Sequence, residues 1–165
     1  MSETVAMSGQ VARGDRLPDA SLAFIEGGEL AIRKTSQLFA RGRFVIVGAP
    51  GAFTPVCTQL HLPGFVDSAP SLLASGFDGL VCIAPNDPWT LAAWSRRIDP
   101  EGRLRFLSDG NLEFGRSAGL LARAPELFMG VCLQRFLLIA QNGMVERIHV
   151  EPEINDVSCT APHVI

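Results

Sequence analysis

The chain has 165 residues, 47% of them hydrophobic and 19% charged, with a formal net charge of -3. That size and composition predict one domain over residues 1–165 with a substantial core. Its scattered Lys and Arg residues form no basic stripe, which argues against nucleic acid, and no apolar run approaches the roughly 18 residues of a membrane span.

The first dozen residues are polar and lack the basic and apolar blocks of a secretory signal, so the chain reads as soluble and cytoplasmic, with no membrane partner. A transit peptide already removed would leave an organelle location open. Residues 22–25 and 29–32 flank Gly27-Gly28 and predict a small hairpin at a sheet edge. Residues 44–49 and 80–84 are continuously apolar, as buried parallel strands are. Between them Leu62, Phe65, Val66, Ala69, Leu72 and Leu73 recur at helical spacing, so a helix from 58 to about 75 completes a βαβ unit. Asp87-Pro88 is a cap and first-turn pair opening a helix whose Leu91, Trp94 and Ile98 face inward. A short strand is expected at 104–107, then a helix capped by Asn111 running to about 121, before a loop around Pro125. Finally, 135–140 and 144–150 flank Gln141-Asn142-Gly143, a strong hairpin signal. A parallel βαβ half joined to an antiparallel hairpin is α/β, and these are the ingredients of a thioredoxin-like fold: a central mixed sheet with helices on both faces.

The four cysteines, Cys57, Cys82, Cys132 and Cys159, show neither a CxxC pair nor zinc-site spacing, so no metal or cofactor is expected, and a reducing compartment suits them. Cys57 stands where the strand at 44–49 has ended and the helix begins. The unpaired N–H groups and macrodipole of a first helical turn favour an anion there, which makes Cys57 the candidate nucleophile. Thr54, three residues earlier, can place its hydroxyl beside an oxygen substrate or merely cap the helix. Pro50 and Pro55 bracket the loop and either hold it rigid or are ordinary turn prolines. His61, four residues after Cys57 on the same helical face, would suit a Cys/His hydrolase, but no third orienting group is evident. Pro63 should bend the helix. Arg135, taken alone, is a solvated residue at a strand start, and His149 and His163 are surface residues.

The motif Pro50-Gly51-Ala52-Phe53-Thr54-Pro55-Val56-Cys57-Thr58, followed by His61-Leu62-Pro63-Gly64-Phe65, resembles the peroxiredoxin family, in its type-5 (type II) branch. The likeness continues through Asn86-Asp87 with Trp94, Leu133-Gln134-Arg135-Phe136, Asn142-Gly143, Val150-Glu151-Pro152 and Ser158-Cys159-Thr160-Ala161-Pro162, nearly the whole chain. It implies a thiol peroxidase acting on hydrogen peroxide and alkyl hydroperoxides, with Cys57 as peroxidatic cysteine, Thr54 and Arg135 holding the peroxide, and Pro50 shielding the site. His61 becomes a supporting residue.

In the same pattern the resolving cysteine of type-5 enzymes maps onto Cys159, whereas that of plant type II enzymes maps onto Cys82. Cys82 lies between Val81 and Ile83 in a central strand and is better read as a small buried hydrophobe, so a Cys57–Cys159 disulfide within one chain is the expected product. Glutathione or glutaredoxin would otherwise resolve the sulfenic acid, and thioredoxin would reduce the disulfide. Cys132, expected in a loop, receives no role. The resemblance further implies a homodimer using Phe53 and the Pro88-Trp89 region. The contrasting reading is a redox sensor or binding protein that turns over little peroxide.

Overall fold

The computed structural model describes residues 3–4 and 9–165; the rest of the N-terminal stretch read as polar lies outside them. The strands are β1 (Glu3–Thr4), β2 (Ser21–Glu26), β3 (Glu29–Lys34), β4 (Arg43–Gly48), β5 (Gly79–Ala84), β6 (Arg105–Ser108), β7 (Leu121–Ala124), β8 (Gly130–Leu133), β9 (Phe136–Gln141) and β10 (Met144–Val150). The helices are α1 (Thr35–Leu38), α2 (Leu62–Ala74), α3 (Pro88–Ile98) and α4 (Glu113–Ala118), with a π-helical turn (Cys57–His61) leading into α2. None of the described helices is long and apolar enough to cross a membrane.

Seven strands form one sheet in the order β10-β9-β4-β5-β6-β2-β3. β4, β5 and β6 run parallel, while β9 and β2 join them antiparallel, so the sheet is mixed. Side chains alternate along a strand, and β4 serves two cores with consecutive residues. Val45 and Val47 pack with Leu62, Phe65 and Ala69 of α2 and with Leu91 and Trp94 of α3. Ile46 faces the other way, towards Phe114 and Ala118 of α4. Helices therefore cover both faces. Burial of each such Val, Leu, Ile or Phe contributes about 1.5–3 kcal/mol.

The expected βαβ unit is present, with Val47 opposite Cys82 in a parallel register. Asn142 and Gly143 both have positive φ, 52° and 78°, the twist that a two-residue hairpin loop between β9 and β10 requires. Around α4 the structure differs from expectation. The helix is only six residues long, with Leu112 at the cap position, and Asp109 rather than Asn111 satisfies its first N–H groups, accepting from Phe114 and Gly115 at 2.9 and 2.8 Å. The residues beyond α4 form β7 and β8, which with β1 make a second, three-stranded sheet in the order β1-β7-β8. Cys132 accordingly lies buried in β8, not in a loop. His149 is half-buried with Nε2 enclosed, rather than a plain surface residue.

Strand register sets the site. Gly48, the last residue of β4, is paired with Phe136, the first of β9. Arg135 therefore lies across from the point where the chain leaves β4 and starts the loop to Cys57. Gly48 permits this approach, since a Cβ there would fall 2.1 Å from the Phe136 ring.

Candidate active site

The loop after β4 is pinned at several points. The Ala49 N–H donates to the Ile83 carbonyl at 2.9 Å, and the Ala52 N–H to Asn86 Oδ1 at 2.8 Å. The Thr54 hydroxyl donates to the Gly51 carbonyl at 2.6 Å, which turns the lone pairs of Oγ1 towards any incoming donor. Between them Phe53 sits at φ 62°, a left-handed conformation unusual for a bulky residue and typical of tightly specified functional loops.

Helical bonding starts with the Thr58 N–H donating to the Thr54 carbonyl at 3.0 Å. The N–H groups of Val56 and Cys57 precede that first bond and belong to the donor-rich end of the helix. The Leu62 N–H then reaches back five residues to the Cys57 carbonyl, so Cys57 opens a widened π turn rather than the regular helix expected from residue 58. Pro63, which has no N–H to bond back to Gln59, helps to enforce the change. π turns are frequent at functional sites. Trp94 Nε1 donates to the Thr58 hydroxyl at 3.1 Å, tying this turn to α3.

Cys57 and Arg135 are both buried, at 0% and 1% exposure. Arg135 Nη2 donates to Cys57 Sγ at 3.2 Å. Its Nε and Nη2 also donate to the Ile154 carbonyl at 2.9 and 2.7 Å, and Nη1 lies 2.8 Å from His61 Nδ1. A guanidinium can only donate, so His61 Nδ1 accepts and its Nε2 carries the proton, which it gives to the Thr160 carbonyl at 3.0 Å. Burial first, and then the positive charge of Arg135, push the His61 pKa down to about 4. The imidazole is thus neutral near neutral pH and orients Arg135. His61 also lacks the hydrogen bond to Cys57 that a Cys/His hydrolase would use, because Nδ1 and Nε2 are both engaged.

Pro50, Thr54, Pro55, Val56 and Arg135 line a cavity of about 450 Å³ together with Leu127, Met129, Ile154 and Asn155. A donor-rich cation and a hydroxyl thus line one largely apolar recess. A cleft of about 530 Å³ between β3 and α3, at Ile32 and Trp89, has none of these groups on its walls.

The structure brings Pro50, Thr54, Cys57 and Arg135 together, and Cys159 stands apart. Its sulfur is 3.6 Å from the Val150 carbonyl and 3.5 Å from Glu151 Oε2, and all four cysteines are free. Cys82 lies in β5, fully buried in the same core as Cys57; burial, and next the neighbouring Cys57 charge, push its thiol well up, as suits a small hydrophobe. Cys132 is likewise pushed up to about 11, chiefly by burial. Two partners were not foreseen from sequence. The Ile154 carbonyl grips the guanidinium, and the Thr160 carbonyl holds His61; both are main-chain groups, which leave no signature in residue identity.

A thioredoxin-like sheet with a buried Cys–Arg pair at the carboxyl end of a central parallel strand defines a thiol-centred redox protein. The family described as Redoxin matches residues 12–162. The chain is 38% identical over 147 residues to Peroxiredoxin-2E-2, chloroplastic, of Oryza sativa subsp. japonica, covering 86% of this chain and 65% of that relative's length. It is 34% identical over 142 residues to Peroxiredoxin-2C of the same organism, covering 86% and 88% of the two chains. Among solved structures, reduced Prx3 from Vibrio vulnificus in complex with H2O2 superposes with a TM-score of 0.87 at 30% identity, covering 94% of this chain and 93% of that one. The chain belongs to the peroxiredoxin family.

Proposed function

We propose that this chain is a single-domain thiol-dependent peroxidase of the type-5 (type II) branch, reducing hydrogen peroxide and alkyl hydroperoxides. The observation that carries the reading is the Arg135 Nη2 to Cys57 Sγ contact of 3.2 Å, with Thr54 lining the same cavity as Arg135. The Cys57 thiolate attacks one peroxide oxygen in line with the O–O bond. The S–O bond forms as the O–O bond breaks, and the leaving oxygen takes a proton to depart as water or an alcohol. Arg135 and the Cys57 N–H donate to the oxygens, Thr54 Oγ1 accepts the peroxide O–H, and Pro50 keeps water from the sulfur. The apolar wall of Leu127, Met129 and Ile154 supports acceptance of an alkyl tail.

The Cys57 sulfenic acid then condenses with the Cys159 thiol, releasing water and leaving a disulfide for thioredoxin to reduce. Glutathione or glutaredoxin is the reductant if Cys159 does not engage. Cys57 is fully buried and each sulfur is held by other groups, so the roughly 2 Å S–S bond is reached through movement of the π turn, the C-terminal segment or both. Phe53 and Trp89, 49% and 61% exposed, support a homodimer contact near the active-site loop, to be read by sedimentation at micromolar concentration. The location we favour is the cytoplasm, with an organelle as the alternative that the chloroplastic relative raises.

The test is non-reducing peptide mapping after one equivalent of hydrogen peroxide, alongside Cys57→Ser. A Cys57–Cys159 link in the parent and no peroxide consumption in the variant are expected. Wild-type turnover by Cys57→Ser would end the peroxidase reading, and a Cys57 sulfenic acid without the link would move the resolving role to an external thiol.

A further inference from the structure

A buried carboxylate beside Cys159 takes no part in the chemistry described so far. Glu151 follows β10 directly and is 2% exposed. Its Oε1 accepts from the Ser158 N–H, from the Ser158 hydroxyl at 2.8 Å and from the Cys159 N–H at 2.7 Å. Its Oε2 lies 3.5 Å from Cys159 Sγ. Within the described residues, a single side chain thus gathers the backbone, hydroxyl and thiol of the 158–159 turn. A second hold is the Thr160 carbonyl on His61. The Thr160 side chain is itself buried, with its hydroxyl enclosed.

We propose that Glu151 is a positioning residue that keeps Cys159 docked as a neutral, unreactive thiol while Cys57 meets peroxide, so that release of the 158–159 turn from this carboxylate controls the resolving step. The inference rests on Cys159 being the resolving cysteine. Burial alone would push the Glu151 carboxyl up, but the bonds from the Cys159 N–H and from Ser158 outweigh it and hold the group below its ordinary value, hence ionised. The Cys159 thiol is pushed the other way, first by burial and then by the Glu151 charge. His61, which feels the Glu151 charge, is neutral near neutral pH. The thiolate is the attacking species, so a turn clamped on an anion delays attack. A delay lengthens the life of the Cys57 sulfenic acid, the form exposed to external thiols and to irreversible oxidation.

The test compares the parent protein with Glu151→Gln and Glu151→Asp by peptide-resolved mass spectrometry. Two quantities are read: the rate of Cys57–Cys159 disulfide formation after a single equivalent of hydrogen peroxide, and the pH profile of Cys159 alkylation by iodoacetamide without peroxide. Glu151→Gln keeps size and acceptor but removes the charge. It should move the alkylation profile to lower pH and speed disulfide formation about threefold or more, the gain in thiolate exceeding its loss of nucleophilicity. Glu151→Asp should return the profile towards the parent. An unmoved alkylation profile, or an unchanged disulfide rate, overturns the proposal, including the case in which the turn merely loosens and alkylation rises equally at all pH values. Cys57 oxidation is scored in the same samples, so a failure of peroxide to oxidise Cys57 counts against the peroxidase reading and is seen separately.

Discussion

His61 donates through Nε2 to the Thr160 carbonyl at 3.0 Å, so the residue next to Cys159 is held by the same imidazole that accepts from Arg135. Protonating that ring would set two cations against each other in a buried site. With a pKa of about 4 in the folded chain and about 6.5 in the unfolded one, only the unfolded chain binds a proton between these pH values. Stability is therefore full above about pH 6.5 and declines as pH falls towards 4, by about 3 kcal/mol from this group. Urea titrations at several pH values should show the slope, and His61→Gln should flatten it.

Removing Arg135 takes away a donor bond from the Cys57 sulfur, the Ile154 carbonyl and His61 Nδ1. Arg135→Ala is expected to slow the reaction with peroxide by about 100- to 1000-fold and to destabilise the fold by about 3 kcal/mol. Arg135→Lys keeps a charge but not the fork, and should fall between. Stopped-flow oxidation and denaturant melts check the two effects separately.

Thr54→Val preserves shape and removes the lone pairs that face the cavity. A loss of about 100-fold in the rate of Cys57 oxidation is expected, with Thr54→Ser close to the parent. If valine left the rate unchanged, the hydroxyl would be only the loop staple to Gly51.

Gly48→Ala tests the packing that seats Arg135. A methyl group 2.1 Å from the Phe136 ring must displace that ring or separate β4 from β9. Overpacking of this kind should cost about 3 kcal/mol. Displacement of β9 would also carry Arg135 off the sulfur, so peroxide reactivity and the unfolding midpoint should fall together.

Much of this architecture is legible in the residues because local signals agree. Continuous apolar runs announce β4 and β5, Asp87-Pro88 announces α3, and Asn142-Gly143 announces the last hairpin. β7 and β8 are four residues each, one with Arg123 exposed and the other beginning at Gly130, and they gain stability only by pairing with each other and with β1. Such short strands carry little periodicity. Residue identity points to Asn111 as the start of α4, whereas the left-handed φ of 56° at Leu112 lets Asp109 reach forward to Phe114 and Gly115. At the site, Cys57, Thr54 and Pro50 are visible in one motif. Arg135 looks like a surface residue until the Gly48–Phe136 register buries it, and the hold of Glu151 on Cys159 exists only once the C-terminal turn folds back.

Trp94 has its indole N–H on Thr58, one residue beyond Cys57, in a protein with two tryptophans and no tyrosine. Its emission is consequently a built-in optical gauge of the first turn. Unwinding of that turn, which the proposed disulfide calls for, would break the indole bond, while Trp89, 61% exposed in the single chain and set on the proposed dimer contact, contributes a separate background. A shift of this turn on addition of peroxide is then expected to register in the emission of the unlabelled protein, with the light coming from the residue that braces the turn.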